Sequence, residues 1–138
     1  MKYLFVDTNI LIDFLTNRKP YSIYAAELFE LALQGEIYLY ISAISYNNIY
    51  YIVKKILGHT ETMLLLNKLA KFVIILDVTQ KVITDALHSE NPDFEDSIQY
   101  FSAITNLKME AIITREKKGF KNSKLPVYTL EEAIILFS

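Results

Sequence analysis

The sequence predicts an α/β protein: a three-layer α/β/α sandwich built on a central parallel sheet of four to five strands. Short apolar runs alternate along the chain with longer segments whose apolar residues recur at helical spacing. The strand-like runs are apolar throughout instead of alternating with polar residues, as expected of strands buried on both faces. Parallel strands joined by right-handed helical crossovers are buried in this way. No internal repeat, low-complexity tract or linker interrupts the alternation, so residues 1–138 read as one domain.

The elements follow in order. Tyr3 to Val6 reads as a buried strand, and Ile10 to Thr16 as a short helix that stops before the Arg18-Lys19-Pro20 turn. Ser22 to Gln34 places Ala25, Leu28, Phe29 and Ala32 on one helical face, with Gly35 beyond its end as a cap. Ile37 to Ile41 is the second strand. Ser42 or Ser45 caps the next helix, which carries Ile49, Ile52, Val53 and Ile56 as an apolar stripe and ends at Gly58. A helix over Thr60 to Leu69, a strand over Val73 to Leu76 and a helix over Thr79 to Leu87 come next. The Asn91-Pro92-Asp93 turn starts a helix running to about Asn106, Ala111 to Thr114 is the fourth strand, and Val127-Tyr128 is a short fifth. Thr129 and Glu132 form a capping box for a last helix, Leu130 to Phe137.

The chain has 138 residues, 52% hydrophobic and 22% charged, the composition of a globular protein that can bury a core without staples. Cysteine is absent, which excludes disulfides, thiolate metal sites and cysteine nucleophiles. The start lacks the long apolar core and small-residue cleavage site of a signal peptide, and no apolar stretch approaches membrane-spanning length, so a cytoplasmic protein with no membrane association is expected. A net charge of −2 argues against holding nucleic acid by bulk electrostatics. Locally, Arg115, Lys117, Lys118, Lys121 and Lys124 crowd together after the fourth strand, either as a phosphate-attracting flank or as a solvated loop. No Gly-rich phosphate-cradling loop is present.

Four segments carry candidate chemistry. Val6-Asp7-Thr8-Asn9 ends the first strand on a carboxylate, at the sheet edge where parallel α/β proteins bind ligands, although Asp is also a common turn residue. Ser42 to Asn48 opens the third helix, Asp93-Phe94-Glu95-Asp96 opens another, and Ile113-Thr114-Arg115-Glu116 leaves the fourth strand. In this order they resemble the PIN-domain family of metal-dependent ribonucleases, whose pattern runs V-D-T-N, then S-A-x-[ST]-x-x-E, then D-x-x-x-x-x-x-A, then [IV]-T-x-D-x-x-F. The resemblance covers nearly the whole chain.

Carried over, the resemblance implies acidic ligands at Asp7, Asp96 and Glu116, with Ala103 and Phe120 in the small and aromatic positions that follow. The family's second acid falls on Asn48, whose amide oxygen can still bind a metal but without charge, a departure that implies weaker cation binding, reduced activity, a need for Mn²⁺ or for Asp93 to make up the charge, or a fold kept for binding alone. Oxygen ligands imply Mg²⁺ or Mn²⁺ as cofactor. Asp93 is either an outer ligand or a helix cap. Thr8, Asn9 and Thr114 match supporting polar positions, and Arg115, Lys117, Lys118 and Lys121 are candidate RNA contacts. Glu95 is expected to face elsewhere.

A small PIN-like chain further resembles the toxin half of a bacterial toxin–antitoxin pair, which implies an RNA substrate and a small antitoxin partner. Tyr21 and Tyr24 on one helix, with Tyr46, Tyr50 and Tyr51 on another, suggest a homodimer or partner interface before a surface that stacks on unpaired bases. His59 and His88 stand apart from any carboxylate and read as surface or cap residues. A rival reading is a signalling receiver, since Asp77 follows the strand Val73 to Leu76, but receivers carry adjacent acids after the first strand where this chain has Asp7-Thr8.

Overall fold

The computed structural model describes residues 2–138; Met1 lies outside them. Among the described residues, β1 (Lys2–Val6), α1 (Thr8–Leu15), α2 (Tyr21–Leu33), β2 (Ile37–Ser42), α3 (Ala43–Leu57), α4 (His59–Leu69) and β3 (Val73–Leu76) form the first half. They are followed by α5 (Gln80–Leu87), α6 (Phe94–Ala103), β4 (Ala111–Ile113), a 3-10 turn (Lys117–Phe120), β5 (Val127–Tyr128) and α7 (Leu130–Phe137). The five strands form one sheet in the order β3-β2-β1-β4-β5, and every pairing is parallel.

Register shows how the sequence divides its apolar residues between the layers. Leu4 pairs with Leu39 and Ala111, and Phe5 with Tyr40 and Ile112. Because side chains alternate across a strand, Leu4, Val6, Leu39, Ile41, Ala111 and Ile113 fall on one face, in a core shared with Leu11, Leu28, Ile49 and Ala133. Phe5, Tyr40 and Ile112 fall on the other, against Ala103, Met109 and Phe120. The sheet is thus covered by α1, α2, α3 and α7 on one side and by α6 and the 3-10 turn on the other.

The order of strands places the site. From β1 the chain moves outward through β2 to β3, then returns across to β4 and β5 on the opposite flank. The carboxyl ends of β1 and β4 therefore border the point where successive connections diverge, the crevice in which open parallel sheets bind ligands. Asp7 and Thr114 are the first residues past these two ends, and Asp7 N–H still donates to the Ile113 carbonyl at 2.9 Å.

Element ends differ from expectation by a few residues, for local reasons. The first helix begins at Thr8, not Ile10. Ser42, and not Ser45, caps α3, accepting from Ile44 N–H at 3.4 Å. The helix expected to reach Asn106 ends at Ala103, where Thr105 Oγ1 donates to the Ser102 carbonyl at 2.6 Å and diverts the chain into a turn. The capping box of Thr129 and Glu132 is formed as read. No helix among the described residues is long and apolar enough to cross a membrane.

Candidate active site at the sheet's switch point

Asp7 ends β1 with only 3% of its surface exposed. An Asp at a helix N-cap usually turns its carboxylate onto the first free N–H groups, but Asp7 closes no such bond. Its Oδ1 instead accepts from Gln99 Nε2 at 3.0 Å and its Oδ2 from Thr114 Oγ1 at 2.7 Å. The side chain is held inward by residues distant in sequence, which is not how an ordinary turn residue behaves. Burial raises its pKa above the usual carboxylate range, while the bonds from Thr114 and Gln99 pull it back. The N–H groups of Asn9 and Thr8, at the positive end of α1, act in the same direction.

Gln99 is fully buried on α6 and spends both ends of its amide here, since its Oε1 also accepts from Thr8 N–H at 3.1 Å. Thr8 Oγ1 lies 2.7 Å from Ser45 Oγ, joining α1 to α3, and Ser42 Oγ lies 3.0 Å from Ser102 Oγ, joining β2 to α6. Every buried polar side-chain atom among the described residues has a partner. Gln99 escaped the sequence reading although a signal existed: it sits one turn after Asp96 on the same helix, so an inward Asp96 implies a nearly inward Gln99.

The amino-terminal turn of α6 supplies the other carboxylates. Asp93 is its N-cap, with Oδ1 accepting from Asp96 N–H at 2.9 Å, so of its two sequence readings the cap is realised. Asp96 is half-buried, and its carboxyl is pushed up to about 7 by burial first and then by the charges of Asp7, Asp93 and Glu95. Glu95 corrects the expectation that it faces elsewhere. Gln99 Nε2 approaches its Oε1 at 3.4 Å, and its carboxyl is raised by burial, lowered by a hydrogen bond from Asn48, and raised again by Asp7 and Asp93. The reason is helical: Glu95 and Gln99 are four residues apart and share a face.

This contact accounts for Asn48. The half-buried amide on α3 lies beside Glu95 of α6 and holds its carboxyl down against the effect of burial. A carboxylate at position 48 would meet Glu95 as a like charge, so a neutral residue there and an acid at 95 are complementary.

Glu116 lies at the exposed start of the 3-10 turn, where its backbone N–H donates to Thr114 Oγ1 at 3.2 Å. It is not among the charges that raise Asp7 or Asp96, whereas Glu95 acts on Asp96. The turn itself packs against Asp96: a Cβ on Gly119 would collide with Asp96 Oδ2. Glycine there allows the Asp96 carboxylate to lie against the turn, and serves no unusual backbone angle.

The basic cluster divides. Arg115 Nη1 donates to Asp13 Oδ2 at 2.9 Å, with its guanidinium 5.0 Å from the Tyr21 ring centre, and Arg18 reaches Asp13 at 3.7 Å. Asp13 is 3% exposed. Arg115 is thus committed to a buried ion pair, a departure from the expected RNA contact, because a buried carboxylate demands a partner. Lys117 pairs with Glu132 at 2.6 Å. Among the described residues Lys118, Lys121 and Lys124 are exposed without an ion-pair partner. Of the tyrosines, Tyr46 donates to the Leu66 carbonyl at 3.3 Å and Tyr50 lies 2.8 Å from His59 Nδ1, so both are engaged within the chain.

Among the described residues Asp7, Glu95 and Asp96 have no cationic partner, and a half-buried crevice with uncompensated carboxylates suits a hard divalent cation bound by oxygen. Among the described residues the side chains stand apart, with no three acidic or histidine groups drawn onto one point.

The PIN-domain sequence profile matches residues 3–118, spanning Asp7, Asn48, Asp96 and Glu116. The chain belongs to the PIN-domain family. Solved structures share the fold of this PIN domain. VapBC2 from Rickettsia felis, bound to a promoter DNA fragment, aligns with a TM-score of 0.70 at 18% identity, covering 92% of this chain and 98% of that one. VapC20 of Mycobacterium tuberculosis, a sarcin-ricin loop cleaving toxin, aligns with a TM-score of 0.65 at 15% identity, over 84% of this chain and 92% of that one. A toxin–antitoxin complex from Klebsiella pneumoniae aligns with a TM-score of 0.62 at 24% identity, over 92% and 97%. No curated protein matches the sequence. Family membership removes the receiver reading, and Asp77 follows β3 at the edge of the sheet, far in strand order from β4.

Proposed function

We propose that this PIN domain is a divalent-metal-dependent ribonuclease, the cytoplasmic toxin of a toxin–antitoxin pair. The observation that carries the reading is buried Asp7, held by Gln99 and Thr114 at the switch point, with Glu95 and Asp96 near enough that its charge raises both and no cationic partner for any of the three among the described residues. Asp7, Asp96 and Glu95 would hold Mg²⁺ or Mn²⁺, with Asp93 and Glu116 at the rim and Asn48 steadying Glu95. When bound, such an ion polarises a phosphate and lowers the pKa of water.

The chain's own residues then divide the work. Gln99 and Thr114 fix both oxygens of Asp7, which limits the freedom lost when the site is loaded. Thr8 ties the α1 end of the site to α3. Lys118 and Lys121, free of ion pairs, draw the RNA backbone toward the crevice. For the partners, the support is the likeness to toxin–antitoxin complexes together with exposed Tyr51, Ile52, Ile56 and Leu64 on α3 and α4, an apolar face suited to an antitoxin or a second copy.

The test is cleavage of labelled RNA by purified protein with Mg²⁺ or Mn²⁺. Activity should vanish with EDTA and with Asp7→Asn while the fold is retained. Equal cleavage in excess EDTA, or full activity of Asp7→Asn, would overturn the mechanism. The separated carboxylates favour a second reading, a PIN-fold RNA-binding module without turnover. RNA bound but left intact at saturating Mn²⁺ would select it.

A further inference from the structure

On the flank of α6, beside the acidic crevice, a cavity of about 290 Å³ opens between that helix and the segment after the 3-10 turn. Tyr100, Phe101 and Ile104 line it from α6, and Phe120, Asn122 and Lys124 from the facing segment. Its size falls at the small end of ligand pockets, enough for one ring system and too little for a peptide helix. Asn91, another wall residue, donates to the Gly119 carbonyl at 2.7 Å, and Gly119 packs on Asp96. Ser97, also in the wall, is the residue after Asp96. The cavity and the acidic crevice are therefore joined through Asn91, Gly119 and Asp96.

Most of its polar groups are already engaged. The Tyr100 hydroxyl accepts from Lys124 N–H at 3.1 Å, Ser97 Oγ donates to the Asp93 carbonyl at 3.1 Å, and Asn91 Oδ1 accepts from Asp93 N–H at 3.0 Å. The Asn122 amide and the Lys124 ammonium form no side-chain bond among the described residues, and both are exposed. An amide that can both donate and accept, aromatic walls and an unpaired cation are the three elements with which proteins hold an unstacked base and its phosphate.

We infer that this cavity is a nucleobase subsite that receives one unpaired base of a single-stranded RNA, with Asn122 reading the base edge and Lys124 holding the adjoining phosphate near Asp96. The inference rests on the ribonuclease reading and adds a place for base selection beside the acidic crevice, formed by Asn122 and Lys124.

The test titrates the whole protein with the four nucleoside 5′-monophosphates and with ribose 5-phosphate, following the backbone amide signals of Asn91, Asn122 and Lys124 by NMR. One nucleotide should bind about tenfold more tightly than the least favoured, the scale of a good base-edge contact, and ribose 5-phosphate, which lacks the base, should move the Lys124 signal weakly and leave that of Asn122 in place. Asn122→Ala should level the preference, and Lys124→Ala should weaken all four alike. Equal shifts with ribose 5-phosphate, unmoved signals, or an unchanged preference in Asn122→Ala would overturn the subsite. Cleavage of RNA oligomers separates the two claims. If the parent cuts RNA and Asn122→Ala keeps its base preference, the subsite falls and the ribonuclease stands. If nucleotides bind with preference but no RNA is cut with Mg²⁺ or Mn²⁺, the subsite stands and the ribonuclease falls.

Discussion

Gln99 Nε2 lies 3.0 Å from Asp7 Oδ1, across 92 residues of sequence, and the same amide accepts from Thr8 N–H through its oxygen. One neutral side chain thus satisfies both the acid that ends β1 and the N–H that begins α1. Gln99→Leu keeps the volume and removes both bonds, leaving a buried carboxylate and an N–H short of partners. Each loss of this kind costs about 1 to 3 kcal/mol. Urea unfolding at neutral pH should show a stability loss in that range or above; a loss within error would mean that water replaces Gln99.

Asn48 and Glu95 should behave as a pair. Asn48→Glu sets like charges together and should lower the thermal midpoint of the cation-free protein, whereas Asn48→Glu with Glu95→Gln restores complementarity and most of the midpoint. If the double variant is no better than Asn48→Glu alone, the two side chains do not act on one another.

Asp96 predicts a pH dependence with a definite sign. Its carboxyl is raised from 3.8 to about 7 in the folded chain, so the native state holds this proton more tightly than the unfolded state between those values. Stability of cation-free protein should fall as pH rises through that window and level off above it. Asp96→Asn should flatten the profile and raise the midpoint at pH 8 (about one unit above the titration). A wild-type midpoint that climbs from pH 5 to 8 would contradict the crowding of charge at this site.

Gly119→Ala introduces a methyl group where Asp96 Oδ2 now lies, at an ordinary backbone angle. The carboxylate or the turn must shift. Mn²⁺ titration calorimetry should show weaker binding with little loss of fold, and unchanged affinity would place Asp96 outside the cation site.

Arg115 and its lysine neighbours should separate by phenotype. Arg115→Ala leaves buried Asp13 with only the more distant Arg18 and should cost about 1 to 3 kcal/mol in unfolding free energy, the scale of a carboxylate short of a partner. Lys118→Ala and Lys121→Ala should leave unfolding unchanged and weaken RNA binding in a salt-dependent manner. The reverse pattern would return Arg115 to the nucleic-acid surface.

The layers of this protein were legible in the chain because strand and helix periodicities are local: Leu4 to Val6, Ile37 to Ile41 and Ala111 to Ile113 declare themselves as buried strands, and Ser42, Thr79 and Thr129 cap the helices that follow, each within a few residues. Parallel order then puts Asp7 and Glu116 beyond neighbouring strands at one sheet edge, but the side chain that meets Asp7 there is Thr114, at 2.7 Å. Which side chain meets which across elements was not legible, because periodicity names a face without naming what stands opposite. Glu95 turned out to meet Gln99, Arg115 to face Asp13, and Gln99 to hold Asp7, and each choice follows from burial. Once packing removes water from a polar group, it must find its partner among whatever residues the tertiary fold has brought alongside.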